Sequence, residues 1–139
     1  MLFLCNHVHR SFCLSLLSRI AAISNVFLII KAHTRGTGAL SDTEKTFLEK
    51  ESSVLLAGDA DHSTLLIDSA DVVINFGSSI GFEALRQEKT VINPTYLHEN
   101  GTFFDRSGTV YDAKDEDTVL KYIKAFKEGQ LNRLTNSEV

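Results

Sequence analysis

The sequence predicts a three-layer α/β/α domain built on a mostly parallel sheet. Short apolar runs of strand type alternate with helix-period segments from end to end. Those runs are apolar throughout rather than every second residue, as expected of strands covered on both faces. The chain of 139 residues, 43% apolar and 23% charged, has the size and composition of one ordinary globular domain. No internal repeat, linker or second core interrupts the pattern. One domain is therefore expected over residues 1–128, followed by a polar tail over 129–139.

The elements follow in order. Leu2-Phe3-Leu4-Cys5 predicts a short first strand, with a polar loop over 6–10. Phe12, Leu16, Ile20 and Ile23 recur at helical spacing and predict a helix over 12–23, with Ser11 as N-cap. Val26-Phe27-Leu28-Ile29-Ile30 is a continuous β-branched and apolar run, the second strand, and Gly36 and Gly38 sit in the loop after it. A short helix is expected over 42–50, with Asp42 and Glu44 near its positive end. Ser53-Val54-Leu55-Leu56 reads as a strand, and 63–69 as a helix capped from Asp61 or Ser63. Val72-Val73-Ile74-Asn75-Phe76 is the clearest buried strand. A helix over 79–87 and a strand over 90–93 follow, the latter stopped by the only proline, Pro94. Residues 96–107 form a polar and aromatic loop, Thr109-Val110-Tyr111 a last strand, and 115–127 an amphipathic helix with Val119, Leu120, Ile123 and Phe126 inward.

Composition excludes several functions. The net charge is −4 and no run of Lys or Arg exceeds a pair, so nucleic acid is not the expected partner. Cys5 and Cys13 make neither a disulfide framework nor a zinc site, and are expected to be buried thiols in a reducing cytoplasm. His7, His9, Arg10 and Arg19 break the apolar residues of the N-terminal region. No run reaches the ~18 uncharged residues of a membrane span, and no signal peptide is predicted. Asp59 and Asp61 read as turn caps rather than metal ligands, so neither metal nor cofactor is expected.

In an open parallel sheet, ligands bind beyond the carboxyl ends of the strands, where the strand order reverses. If the strand order is the usual doubly wound one, three loops converge there: 6–10, 31–38 and 76–80. They carry His7, His9, Arg10, Lys31, His33, Arg35, Ser78 and Ser79. Cations and hydroxyls gathered at one edge of an acidic protein suit a phosphate-bearing ligand. The strongest segment is Asn75-Phe76-Gly77-Ser78-Ser79-Ile80-Gly81-Phe82-Glu83. Gly77 permits the turn, the helix start offers free N–H groups, and the serine hydroxyls add donors. Glu83 lies four residues after Ser79, one too many for a capping box, and is available to ribose hydroxyls. The same residues suit equally a well-capped helix bearing a solvated glutamate. Lys31-Ala32-His33 ends the second strand with Lys31 and His33 pointing one way, although an ordinary polar strand end has the same pattern. His62 and His98 read as helix-start or surface residues.

Taken together, Lys31-Ala32-His33, Ser69-Ala70-Asp71-Val72-Val73-Ile74 and Gly77-Ser78-Ser79-Ile80-Gly81-Phe82-Glu83-Ala84 resemble the C-terminal domain of GT-B glycosyltransferase-like enzymes. The resemblance is nearest to surface-polysaccharide and teichoic-acid-type transferases, among them CDP-glycerol glycerophosphotransferases and capsule sialyltransferases. It covers roughly residues 26–126. It implies a Rossmann-like half of a GT-B fold, binding a nucleotide-activated sugar or polyol phosphate without a metal. His33 and the Ser78-Ser79 pair would hold the donor phosphates, His33 acting in catalysis, with Glu83 on the ribose and Lys31 and Gly77 completing the site. Two positions depart from the family pattern: Thr34 stands where proline is usual, and Thr90 where a Lys-Pro junction is usual. The resemblance also implies an N-terminal acceptor domain, so that this chain holds the donor half and is inactive alone. The full enzyme would work in the cytoplasm and meet the membrane peripherally.

Two alternatives come with that expectation. One is a UDP-sugar 2-epimerase-like domain, which shares the fold and a similar helix. The other is a non-catalytic nucleotide-binding or protein-interaction module. A receiver domain is set aside because Asp71 begins its strand rather than ending it.

Overall fold

A computed structural model describes residues 10–31, 41–50, 53–57, 62–75, 80–97 and 109–131. Among them five helices and five strands follow one another. They are α1 (Arg10–Ala21), β1 (Leu28–Ile30), α2 (Asp42–Glu49), β2 (Val54–Leu56), α3 (Ser63–Ser69), β3 (Val72–Ile74), α4 (Ile80–Arg86), β4 (Thr90–Pro94), β5 (Tyr111–Ala113) and α5 (Glu116–Lys127), with a single 3-10 turn at Thr95–Leu97. All pairings are parallel: β1 with β2, and β3 with β4 with β5. The chain is a mixed α/β fold of Rossmann-like type.

These two ladders carry a separate core on each side. On one face Leu28, Ile30, Ile74, Ile92 and Ala113 pack with α1 and α5. Helix α1 supplies Cys13, Leu16, Leu17 and Ile20, spaced at i, i+3, i+4 and i+7, and α5 supplies Val119, Leu120 and Ile123. On the other face Val73, Val91 and Val110 pack with Ile67 of α3 and Ala84 of α4. Each fully buried Leu or Ile is worth about 1.5–3 kcal/mol, so these two layers supply most of what holds the strands between helices.

Local chemistry sets the helix ends. Ser41 and Glu44 form a reciprocal capping box at α2: the Glu44 N–H donates to Ser41 Oγ (3.2 Å) and the Ser41 N–H to Glu44 Oε1 (2.9 Å). Asp115 caps α5 by accepting from the Thr118 N–H at 2.8 Å and from its hydroxyl at 2.7 Å. These bonds hold the Asp115 carboxyl below its ordinary range. Gly129 closes α5 at φ 71°, donating to the Phe126 carbonyl, a left-handed position that suits glycine. Helix α4 ends on Glu88 at φ 63° instead, a side chain in a conformation it disfavours.

Several boundaries differ from expectation. Strand β1 is shorter than its apolar run, because the exposed Phe27 and the partly buried Val26 precede the ladder with β2; β3 ends at Ile74, with Asn75 buried just after it and Phe76 outside the described residues. Strand β5 begins at Tyr111, two residues later than expected, since its register starts at Tyr111 opposite Ile92. Pro94 lies inside β4, at its last position, where its missing N–H costs the ladder least. Helix α1 starts at Arg10, which places Ser11 inside the helix rather than at its cap. The N-cap of α3 is His62, with no side-chain hydrogen bond, rather than Asp61 or Ser63. Cys13 is disulfide-bonded, which corrects the expectation of a free buried thiol. The expected first strand over 2–5 lies outside the described residues, as does the tail beyond 131. Among the described residues no helix is long and apolar enough to cross a membrane.

Candidate functional site

The alternation of the strands places one row of polar side chains on a single face. Val73 and Val91 belong to the core beneath α3 and α4, Val110 joins them, and Ile29 packs against the same cluster. Two residues further along each strand, on the same face, stand Asn75, Asn93, Asp112 and Lys31. The register runs Val73 opposite Val91 and Asn93 opposite Asp112, so Asn75, Asn93 and Asp112 are lateral neighbours. The β3–β4–β5 face thus changes from apolar to polar in one pleat at the strands' carboxyl ends, and β1, paired with β2 in a ladder of its own, makes the same change from Ile29 to Lys31.

Three of these side chains are deep, and Asp112 is half-buried. Lys31 is 7% exposed and Asn75 and Asn93 are each 1% exposed. The only other buried polar side chain among the described residues, Thr90, is at the opposite end of β4. Burying polar groups is costly unless they are bonded, so such a row marks a place where polarity serves a purpose. In open α/β sheets the carboxyl edge is also where ligands bind.

The row is held firmly at β5. Asn93 Nδ2 donates to Asp112 Oδ1 at 2.9 Å. From the other face the Tyr122 hydroxyl of α5 donates to the Asp112 carbonyl at 3.0 Å, and its ring packs against Tyr111 with centroids 5.3 Å apart. Thr95 Oγ1 donates to the Ala113 carbonyl at 3.0 Å. The Asn75 N–H donates to the Ile92 carbonyl at 3.0 Å, which extends the β3–β4 ladder to the row itself.

Of the residues that the sequence singled out, Lys31 takes its place in this row at the end of β1. His33, Gly77, Ser78 and Ser79 lie outside the described residues. Glu83 is in the first turn of α4, half-buried, and its carboxylate is engaged rather than solvated. Arg86 grips it through Nε (2.9 Å) and Nη2 (2.7 Å), and Gln87 Nε2 donates to it at 2.7 Å. These bonds hold the Glu83 carboxyl below its ordinary range. Gln87 Nε2 also donates to the Thr64 carbonyl, so the cluster ties α4 to α3.

Sequence reading missed Asn75, Asn93 and Asp112 as site residues. The signal was present: Val-Ile-Asn occurs twice, at 73–75 and 91–93, each time as an apolar strand ending on a buried amide. Tyr96 is half-buried in the 3-10 turn that follows β4. Burial, and then the neighbouring Glu116 and Asp115, push its phenol well above the ordinary tyrosine range, so it stays neutral. Glu116 is also bound by Ser15 Oγ at 3.0 Å and by Arg19 at 3.4 Å, which joins α1 to α5.

At the opposite edge a cavity of about 290 Å³ opens between the amino ends of β1 and β3, lined by Asn25, Phe27, Ala70 and Val72. Its walls are mainly apolar, and none of the buried polar row reaches it. Among the described residues no group of three metal-ligating side chains converges. No protein-family description, curated protein or solved structure matches the chain.

Proposed function

We propose that the chain is the donor nucleotide-binding domain of a glycosyltransferase- or glycerophosphotransferase-like enzyme of surface-polysaccharide synthesis. The observation that carries this reading is the polar row at the carboxyl edge, on the face that α4 covers. A phosphate-bearing ligand lying along that edge would meet Lys31 at β1 and the Gly77-Ser78-Ser79 segment after β3. The lysine brings charge, and the serines bring hydroxyl and N–H donors. His33, two residues beyond Lys31, would add an imidazole to the same phosphates and support catalysis through it. Glu83 would turn to the ribose only by releasing Arg86, which makes it the least committed member of the set. Charge stabilisation by such fixed donors needs no metal. The acceptor and the residues that orient it belong, on this reading, to another domain. The same reading implies work at the cytoplasmic side of the membrane.

Calorimetry with CMP, CDP, UDP, GDP and ADP tests it. The wild-type chain is expected to bind at least one of them weakly, and Ser78→Ala/Ser79→Ala to weaken that binding about ten- to a hundred-fold, the usual effect of losing hydrogen bonds to a charged group. Unchanged affinity in a folded double variant removes the serine assignment. No binding by the wild type favours the non-catalytic interaction module.

A further inference from the structure

We propose that Cys13 is bonded to Cys5 and that this disulfide is a redox-sensitive tether on α1, closed under oxidising conditions and open under reducing ones. The proposal stands independently of the nucleotide-binding reading. The partner follows by elimination. Cys13 is disulfide-bonded, and the sequence holds one other cysteine, Cys5. Cys13 is 0% exposed, in the core cluster that α1 shares with Leu28 and Ile30 of β1 and Ile74 of β3. A sulfur so enclosed cannot meet a second copy of the chain, so the bond is intramolecular. Disulfide geometry then holds the Cα of Cys5 within about 7 Å of that of Cys13. The bond closes a loop of nine residues, both cysteines included.

The position of the bond makes it reversible. Cys13 lies in the first turn of α1, beside Phe12, which is 58% exposed. A helix end opens at far lower cost than the centre of a core, so a reductant reaches the bond without unfolding the domain. The rest of α1 keeps its own anchors. Leu16, Leu17 and Ile20 are buried, Ser15 Oγ donates to Glu116 of α5 at 3.0 Å, and Arg19 pairs with Asp117 at 2.9 Å. A reduced Cys13 suits its apolar surroundings, because a neutral thiol behaves as a small hydrophobe. In the exchange, one thiolate of a dithiol reductant attacks a cysteine sulfur and the other cysteine leaves as a thiolate. The reductant's second thiol then closes onto its own first sulfur and releases the remaining cysteine. Two electrons and two protons end on Cys5 and Cys13, and the reductant becomes the disulfide. Disulfides persist in oxidising compartments and are transient in reducing ones. The state of this bond therefore follows its surroundings and sets how firmly the first turn of α1 is held.

Peptide mass spectrometry tests the pairing and thermal unfolding tests the switch, both on the 139-residue chain. A complete tryptic digest cuts after Arg10 and Arg19, which places Cys5 in the peptide 1–10 and Cys13 in the peptide 11–19. From chain equilibrated with oxidised glutathione, the two peptides are expected as one linked species that dithiothreitol separates. Reduction of the intact chain is expected to lower Tm by about 5–12 °C, the effect of opening a short loop in a domain of this size. The circular dichroism of the folded chain is retained below the transition, and oxidised glutathione restores the higher Tm. Cys5→Ser is expected to match the reduced wild type and to ignore the reductant. Unlinked peptides from the oxidised chain overturn the pairing. A wild-type Tm that reduction leaves unchanged, or an equal fall in Cys5→Ser, overturns the tether. Outright unfolding of the wild type on reduction makes the bond a fixed staple and overturns the switch.

Discussion

Replacing Asn93 and Asp112 by valine, singly and together, asks whether their contact is an energetic pair. Valine suits a strand, and these positions adjoin Val91 and Val110 on the same face. Asn93→Val deprives Asp112 of one donor, but Asp112 is only half-buried and water can replace part of the loss. The expected cost is about 1 kcal/mol, at the low end for an orphaned polar group. Asp112→Val deprives the Asn93 amide of its acceptor at a position 1% exposed, where water cannot enter. That cost is about 2–3 kcal/mol. Independent effects would sum to about 3–4 kcal/mol, whereas removing both partners for apolar groups of similar shape is close to neutral. The double-mutant cycle is therefore expected to show a coupling of about 3 kcal/mol, the upper end of what contacting residues show. Both residues make contacts beyond this pair, which cancel to first order in the cycle. Urea unfolding followed by circular dichroism gives the four stabilities. A strictly additive double variant, or a costless Asp112→Val, would refute the view that the row is a coupled, buried polar device.

Other expectations follow from the helix ends. The Asp115 and Glu83 carboxyls are held below their ordinary range by hydrogen bonds. Their contribution is therefore complete above the unfolded values of about 3.9 and 4.3 and is lost as pH falls through the lower folded ones. Tm should hold level from pH 7 to about 5 and fall below about 4, and Asp115→Asn, a cap that does not titrate, should blunt that fall. Glu88→Gly should raise stability by up to about 1 kcal/mol by relieving the left-handed conformation after α4, measured by the urea midpoint.

Much of the fold was legible because burial writes itself into sequence. The run Val72-Val73-Ile74, the Leu16-Ile20 stripe and the Val119-Leu120-Ile123 face each announced their element. Strand limits were less legible, because Phe27 and Val110 carry the same apolar signal as the ladder residues beside them. The caps divided in the same way. Asp115 was readable as an acid before a helix, while His62 caps α3 with backbone geometry alone and leaves no residue-type signature. At the site, the sequence drew attention to the charged and hydroxyl-bearing residues, Lys31 among them. It did not reveal that Glu83 would be taken up by Arg86 and Gln87, since neighbours at i+3 and i+4 compete with any ligand. Asn75, Asn93 and Asp112 became a group only through register: they lie up to 37 positions apart, and only the parallel pairing of β3, β4 and β5 aligns them.

The most direct test of a carboxyl-edge site is a titration of the isotopically labelled chain with CDP, followed by amide resonances. The account predicts that the largest shifts fall at Lys31, Asn75, Asn93 and Asp112, with their neighbours in the loops that follow. Residues at the amino edge, such as Asn25, Phe27, Ala70 and Val72 around the apolar cavity, should stay nearly fixed. Shifts concentrated at that opposite edge, or none anywhere at millimolar nucleotide, would contradict it.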